Sequence, residues 1–511
     1  LRLPILLLSA ATLALGACNF TSNAASDASA QVDPGTDLSD RDLETRVMAA
    51  LDDAPKNGLT KDLFLKGDLP SDGAEKRQAL LKIAHDYASA LANGKVDPSK
   101  VRDVYTLPRA KMDVSEGLKQ ALAQDNLREW LASLAPQTDE YRALSKAFVQ
   151  LVQSTPNLEG ASIPATGKVI RPGDKDPRVA VIAQNLRAQG YLQTASATTA
   201  QAGTPAEQRK PQGAQQAQPD NSQPAAQPAV FTKEMSEALK NWQSDAGLKA
   251  DGVVGPDTVG QLNGGPKDRA RKLAIAMERL RWLEREPPKT RIDVNTAATF
   301  LQYFREGSLA DQRRVVVGQP GWETPALGSP IYALVANPDW VVPDSIVKEE
   351  ISKRSPAYLK ENNFVQKDGR WVQQPGPDSA LGEVKFAMKN DEAIYLHDTP
   401  AKAAFQSDER HQSHGCIRVQ NAVQFAQMLA QQNGIADKFS EAMANKDKES
   451  QVALPNEIPV RLLYHTAYLG GNGRVQYAPD VYGWDNDVAS ALGYETRQVA
   501  KPKRNSEDVG P

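Results

Sequence analysis

One thiol and three imidazoles crowd a short stretch of this chain. His397, His411 and His414 all lie within nineteen residues of Cys416, although the whole sequence holds five histidines and two cysteines. A cysteine acts as a nucleophile only as its thiolate, so it needs a base or a nearby cation at neutral pH. Histidine is the side chain best suited to that task. Gly415, directly before the thiol, permits a sharp turn that leaves backbone N–H groups to face a developing oxyanion. Two other readings stay open on residue types alone. His397, His411, His414 and Cys416 are a conceivable zinc set, although a Cys and a His two apart point differently from paired Cys-x-x-Cys ligands. A buried, inert thiol with incidental histidines is the third. His85, off any apolar stripe, and His411 read as surface histidines, and His465 as structural.

The other cysteine closes an export signal. Leu3 to Leu15 is almost wholly apolar and runs into Leu15-Gly-Ala-Cys18, too short for a spanning helix and at the place of a signal peptide. It resembles the lipobox of bacterial lipoproteins, which implies cleavage before Cys18 and acylation of that residue. Each buried methylene of the acyl chains adds about 0.8 kcal/mol of membrane affinity. Asn19 is not the Asp that retains many such lipoproteins in the inner membrane, so the resemblance favours the outer membrane, facing the periplasm. With Cys18 lipidated no disulfide can form, and Cys416 is a lone thiol in an oxidising compartment. Such a thiol is exposed to oxidation unless it has a use.

At 511 residues the chain calls for several domains. A net charge of −3 and a pI near 6.1 offer no basic excess for a nucleic acid. Mean hydropathy is −0.50, and beyond the signal no apolar run approaches a membrane span. Residues 1–18 read as the signal and 19–37 as an Ala-, Ser- and Asp-rich tether. Helical periodicity then dominates 38–165: Leu80, Ile83, Ala84, Tyr87 and Leu91 share one face, as do Tyr141, Leu144, Phe148 and Leu151. Within 170–265 an amphipathic run ends at Gly190-Tyr-Leu192. A second carries Met235, Ala238, Leu239 and Trp242-Gln243, and Asp251-Gly-Val-Val-Gly-Pro-Asp-Thr258 turns into a third. In this order the motifs resemble a three-helix peptidoglycan-binding module, split here by a Gln/Ala/Pro-rich insert, 193–229, with the composition of a disordered loop. A linking helix is expected over 266–290, with Leu273, Met277 and Leu280 on one stripe.

From 291 to 484 the period shifts toward two, and short β-rich runs separated by Gly, Pro and Asn predict a mostly-β domain. It is interrupted by helical patterns at about 343–361 and 421–445. The fold class expected is multidomain α+β: a helical scaffold, the three-helix module, and a β domain carrying a helical cap at 343–377. A polar tail follows at 485–511.

Ile394-Tyr-Leu-His397-Asp-Thr-Pro400 and Ser413-His-Gly-Cys-Ile-Arg418 together resemble the signature of the L,D-transpeptidase catalytic domain (YkuD type). Met277-Glu-Arg-Leu-Arg-Trp-Leu283, Asn337-Pro-Asp-Trp340 and Ala380-Leu-Gly382 extend the likeness to the large Gram-negative, YcbB-like subtype. The resemblance implies Cys416 as nucleophile and His397 as its base, oriented by the Asp398 carbonyl. His414 and Gly415 supply oxyanion amides, Tyr395 assists there, and Arg418 holds the loop or a substrate carboxylate. His414 stays open between that role and a structural one, because the subtype often has a small residue in its place. The reaction implied is ping-pong acyl transfer without metal or organic cofactor. A stem tetrapeptide of peptidoglycan acylates the thiol, and the side-chain amine of a diamino acid on a second stem resolves the thioester as a 3→3 cross-link. Water, giving an L,D-carboxypeptidase, and an outer-membrane protein are alternative acceptors. A wall-binding lipoprotein without activity is the alternative of another class.

Overall fold

The computed structural model describes residues 38–71, 73–154, 162–164, 166–193, 229–246 and 248–497. The signal with Cys18, the tether, nearly all of the insert and the last residues of the tail lie outside the described residues. No helix among the described residues is long and apolar enough to cross a membrane.

The helical body contains the predicted stripes. Asp40–Leu51 starts at Ser39, whose side chain accepts the Asp42 N–H, and Gly73–Asn93 and Asp139–Ser154 follow with shorter helices between them. Leu80, Ile83, Ala84, Tyr87 and Leu91 are buried, and so are Tyr141, Leu144 and Phe148, while Leu151 packs at the margin. What they enclose is the helix read as a linker. Leu273, Ala274, Ile275, Ala276 and Met277 are completely buried in the same core. The helical body is thus built around a segment more than a hundred residues downstream of its own helices.

That segment is the second part of Pro256–Trp282, which breaks at Gly265 (φ 58°, ψ −167°) just before Pro266. Proline has no N–H for the helical ladder, and only glycine takes that backbone readily. The first part completes the module, packing Val259 and Leu262 with Ile182, Leu186, Leu239 and Trp242. Gln243 explains why the motif residues travel together. Its side-chain carbonyl accepts the Gly252 N–H (2.8 Å), and its amide donates to the Val253 carbonyl (3.0 Å) and Thr258 Oγ1 (3.2 Å). Gly252 is left-handed, and a Cβ there would lie 2.3 Å from Ser236 Oγ. On either side of the insert, Lys175–Asp176 pairs with Ala229–Val230.

Among the described residues, the β domain is a nine-stranded sheet. Its order is His411–Ser413, Ser308–Gly318, Ile417–Val419, Leu396–His397, Val384–Met388, Gly328–Ala336, Ser450–Leu463, Arg291–Asn295, Phe300–Arg305. Phe300–Arg305 pairs again with Ser308–Gly318, so the sheet closes on itself and the strands between have no free edge. Ala422–Gln432 and Ala436–Ala444 bury Phe425, Leu429 and Phe439 in its core.

Two expectations need correction. The cap is not simply helical: Asp344–Glu349 and Pro356–Glu361 are helices, but Trp340–Val341, Arg370–Gln373 and Phe364–Lys367 form a three-stranded sheet. Asp368-Gly369, both at positive φ, is the two-residue turn that favours a hairpin. Nor is 485–511 all tail. Asp485–Ala491 is a helix whose Val488 and Ala489, with Leu492 after it, enter the helical core. Asp485 is fully buried, bonded to Arg279 (2.6 Å) and Thr466 (2.8 Å).

The same core holds Glu278 and Arg281, both fully buried and 2.6 Å apart. Glu278 also accepts the Val96 N–H (2.7 Å) and Trp282 Nε1 (3.0 Å), while Arg281 donates to the Tyr141 hydroxyl (2.7 Å) and the Asn57 carbonyl (2.8 Å). Removing one partner strands a buried charge, which costs about 3–5 kcal/mol. Glu278→Leu should therefore lower stability by about that amount in urea unfolding. A loss under about 1 kcal/mol would mean that the pair is not what joins these segments.

Candidate active site

Cys416 and His397 adjoin or lie in two very short strands. Leu396–His397 runs parallel to Ile417–Val419, with Leu396 opposite Ile417 and His397 opposite Arg418. Side chains alternate along a strand and paired residues share a face. Leu396, Ile417 and Val419 therefore enter the core, while His397 and Arg418 share the opposite face; Tyr395 and Cys416 directly precede the two strands, and Cys416 borders the same core. The antiparallel neighbour adds Lys385, paired with His397. Of these, Lys385 escaped the sequence reading. Its position in the Val384–Met388 run was legible, but nothing local says that it lies across from His397.

The loop before Cys416 is tied from both sides. Gly415 is at φ 114°, where a side chain is strained, and an added Cβ would lie 3.3 Å from Ile394. Ser413 Oγ accepts the Gly415 N–H (3.2 Å) and donates to the Cys416 carbonyl (2.6 Å). Thr324 donates to the Gly415 carbonyl (2.7 Å). The Gly415 amide, expected to serve an oxyanion, is thus engaged within the loop, and the glycine serves the turn. Ser413 and Thr324 are positioning residues. Ser413 lies in the motif and Thr324 carries no sequence signal.

The thiol is 5% exposed, with Sγ 3.7 Å from the Ala393 carbonyl. Burial pushes its pKa up to about 11, against the Tyr395 backbone and the charges of Lys385 and Arg418, which lower it. His397 is completely buried, and its pKa lies well below the usual histidine range. Burial is the main cause and Arg418 the next, with the Asp398 backbone opposing them. Neither ring nitrogen of His397 has a hydrogen-bond partner of normal geometry among the described residues. The Asp398 side chain accepts the Glu383 N–H (3.1 Å) and pairs with Lys402. Tyr395 lies edge-on to His397, ring centroids 5.7 Å apart, and the Lys385 ammonium sits 4.1 Å from the Tyr395 centroid.

The remaining histidines part company. His411 is buried, contrary to its surface reading: Nδ1 is 2.7 Å from Glu409, Nε2 is 3.0 Å from the Thr296 carbonyl, and its ring meets Tyr482. It is a bracket between strands. His414 Nε2 is 2.9 Å from Glu350 of the cap, and its ring meets Trp322 at 5.0 Å. With their nitrogens turned to different partners, these two do not converge with His397 and Cys416 as a zinc set would. His465 is buried, its pKa pushed down to about 3 chiefly by burial, with its backbone held by Asn295. Trp340 is packed within the cap against Phe364.

Residues 289–439 match the family model of the L,D-transpeptidase catalytic domain, which spans the strands just described. Residues 39–148, in the helical body, match a scaffold-domain model, and 219–262 match one described as "Putative peptidoglycan binding domain". A Haemophilus influenzae protein described as "Putative L,D-transpeptidase" is 32% identical over 240 residues. That stretch covers 42% of this chain and 48% of the relative, so the chain spans about half the length of the curated relative it matches. Solved L,D-transpeptidases are more distant. One from Mycobacterium smegmatis is 13% identical, covering 34% of this chain and 58% of that one, at a TM-score of 0.20. One from Xylanimonas cellulosilytica is 15% identical, covering 58% and 99%, at 0.18.

The two pKa shifts leave the Cys416 thiol and the His397 imidazole both neutral near pH 7. Alkylation of Cys416 by iodoacetamide should therefore rise through the alkaline range toward pH 11, without a plateau near neutrality. Lys385→Met should slow it at any pH below that range, by about tenfold for each pH unit by which the thiol pKa rises. A plateau by pH 8 in the unaltered protein would show that the thiol is not raised.

Proposed function

We propose that this protein is a peptidoglycan L,D-transpeptidase of the large Gram-negative subtype, acting from a lipid anchor at Cys18 on the periplasmic side, with the outer membrane favoured. The single observation that supports the catalytic part is the parallel register that pairs the strand of His397 with the strand that follows directly on Cys416. The matches to the catalytic-domain and peptidoglycan-binding models support the substrate class.

Cys416 attacks the carbonyl of the third stem residue, an L-centred diamino acid. The proton of the thiol passes to His397 as the C–S bond forms. Because the thiol is held up and the imidazole down, transfer is coupled to attack rather than completed beforehand. His397 then protonates the departing amine, and terminal D-alanine leaves. The side-chain amine of a second stem displaces the thioester and creates the 3→3 cross-link. Tyr395 lines the attack site, Arg418 holds positive charge beside His397, and Gly415 and His414 shape the nucleophile loop.

Incubation with a tetrapeptide muropeptide, followed by product mass, tests the reading. The unaltered protein should release D-alanine and yield a cross-linked dimer. Cys416→Ala should lose more than about a thousandfold of that rate, as expected on removing a covalent nucleophile. An undiminished dimer yield from Cys416→Ala would sink the proposal. Tripeptide as sole product would reassign the protein as an L,D-carboxypeptidase.

A further inference from the structure

The two flanks of the site differ in charge. On the side of His397 stand Lys385 and Arg418, both cationic, with Lys385 across the sheet from His397. On the side of the nucleophile loop the cap brings in Glu350, just past the helix Asp344–Glu349. One of its carboxylate oxygens is 2.9 Å from His414 Nε2, two residues from Cys416. The side chain is only 12% exposed, and its other oxygen, Oε2, is buried without a hydrogen-bond partner among the described residues. A buried carboxylate oxygen with no donor is costly to keep, so such an atom calls for a partner that arrives from outside. Trp322 closes the same wall, its ring 5.0 Å from that of His414 and its carbonyl 3.8 Å from a Cβ added at Gly415. A small donor entering here meets an acidic, half-dry corner beside the loop that carries Cys416.

We propose that Glu350 selects the acyl acceptor: its unpartnered oxygen receives the protonated side-chain amine of the second stem peptide beside the Cys416 thioester. This rests on the transpeptidase reading and supplies what that reading lacks, a reason for an amine to outcompete water. Water is everywhere, whereas an amine must be held in place to win, and a charge-assisted hydrogen bond does that with geometric precision. The ammonium gives one proton to solvent. Its nitrogen then attacks the thioester carbonyl carbon, forming C–N. The C–S bond breaks with its electron pair going to sulfur, and the second amine proton passes through His397 to that thiolate. One amide, one thiol and one solvent proton result.

The test is the partition of a single acyl-enzyme. With a tetrapeptide donor and an acceptor stem bearing a free side-chain amine, cross-linked dimer and hydrolysed tripeptide are measured together by mass. Both arise from the same thioester, so their ratio does not depend on how fast, or in what fraction of molecules, Cys416 is acylated. Glu350→Gln should lower the dimer-to-tripeptide ratio by about tenfold or more, the scale of one lost charged hydrogen bond. Glu350→Asp, which keeps the charge, should lie closer to the unaltered protein. With the acceptor amine acetylated, all three proteins should give tripeptide alone. An unchanged ratio in Glu350→Gln, or equal losses in the Gln and Asp variants, would overturn the role of Glu350 while leaving the transpeptidase reading intact. Absence of any acyl-enzyme in the unaltered protein would overturn both.

Discussion

The candidate site depends on one short parallel pairing, two residues against three. Strands so short have no stability of their own; they persist because Leu396, Ile417 and Val419 are buried in a sheet that closes on itself. Parallel neighbours cannot be joined by a tight turn. The chain from 398 to 416 has to leave the sheet and return, through the 3-10 turn Lys402–Gln406 and the strand His411–Ser413. Burial of Cys416 and His397 goes with that placement. It keeps the thiol protonated and the imidazole neutral at rest. In such a dry site the charges of Lys385 and Arg418 act more strongly than they would in water.

The second organising element is the helix Pro256–Trp282. Its first turns finish the peptidoglycan-binding module, its remainder is the axis of the helical body, and its end leads into the first strand of the catalytic sheet. The Glu278–Arg281 pair and the Arg279–Asp485 pair sit within four residues on it. One draws in Val96 and Tyr141 from the N-terminal part, the other the C-terminal helix. The three-helix module and the β domain are thereby built on a common beam.

The cap completes the arrangement from outside the sheet. Its contact with the nucleophile loop, Glu350 to His414, joins residues 64 positions apart. It also brings an acidic side chain to the loop that carries Cys416, while Lys385 and Arg418 flank His397.

The sequence by itself determined the chemistry available and the local geometry that carries it. The lone thiol, the histidine nineteen residues before it and the glycine that turns the loop were all legible, because nucleophile, base and turn each need a particular residue type. The amphipathic stripes and the Trp-Gln and Asp-Gly motifs were legible for the same reason, since period and turn chemistry are local. What only the tertiary structure decided is who stands beside whom. His411 reads as polar surface yet is sealed between Glu409 and Thr296; Lys385 reads as one residue of a strand yet faces His397; a linker becomes a core, and part of a tail becomes a packed helix. In each case burial is set by chain returning from far away in sequence, and no local pattern encodes which strand or helix will arrive on the other side.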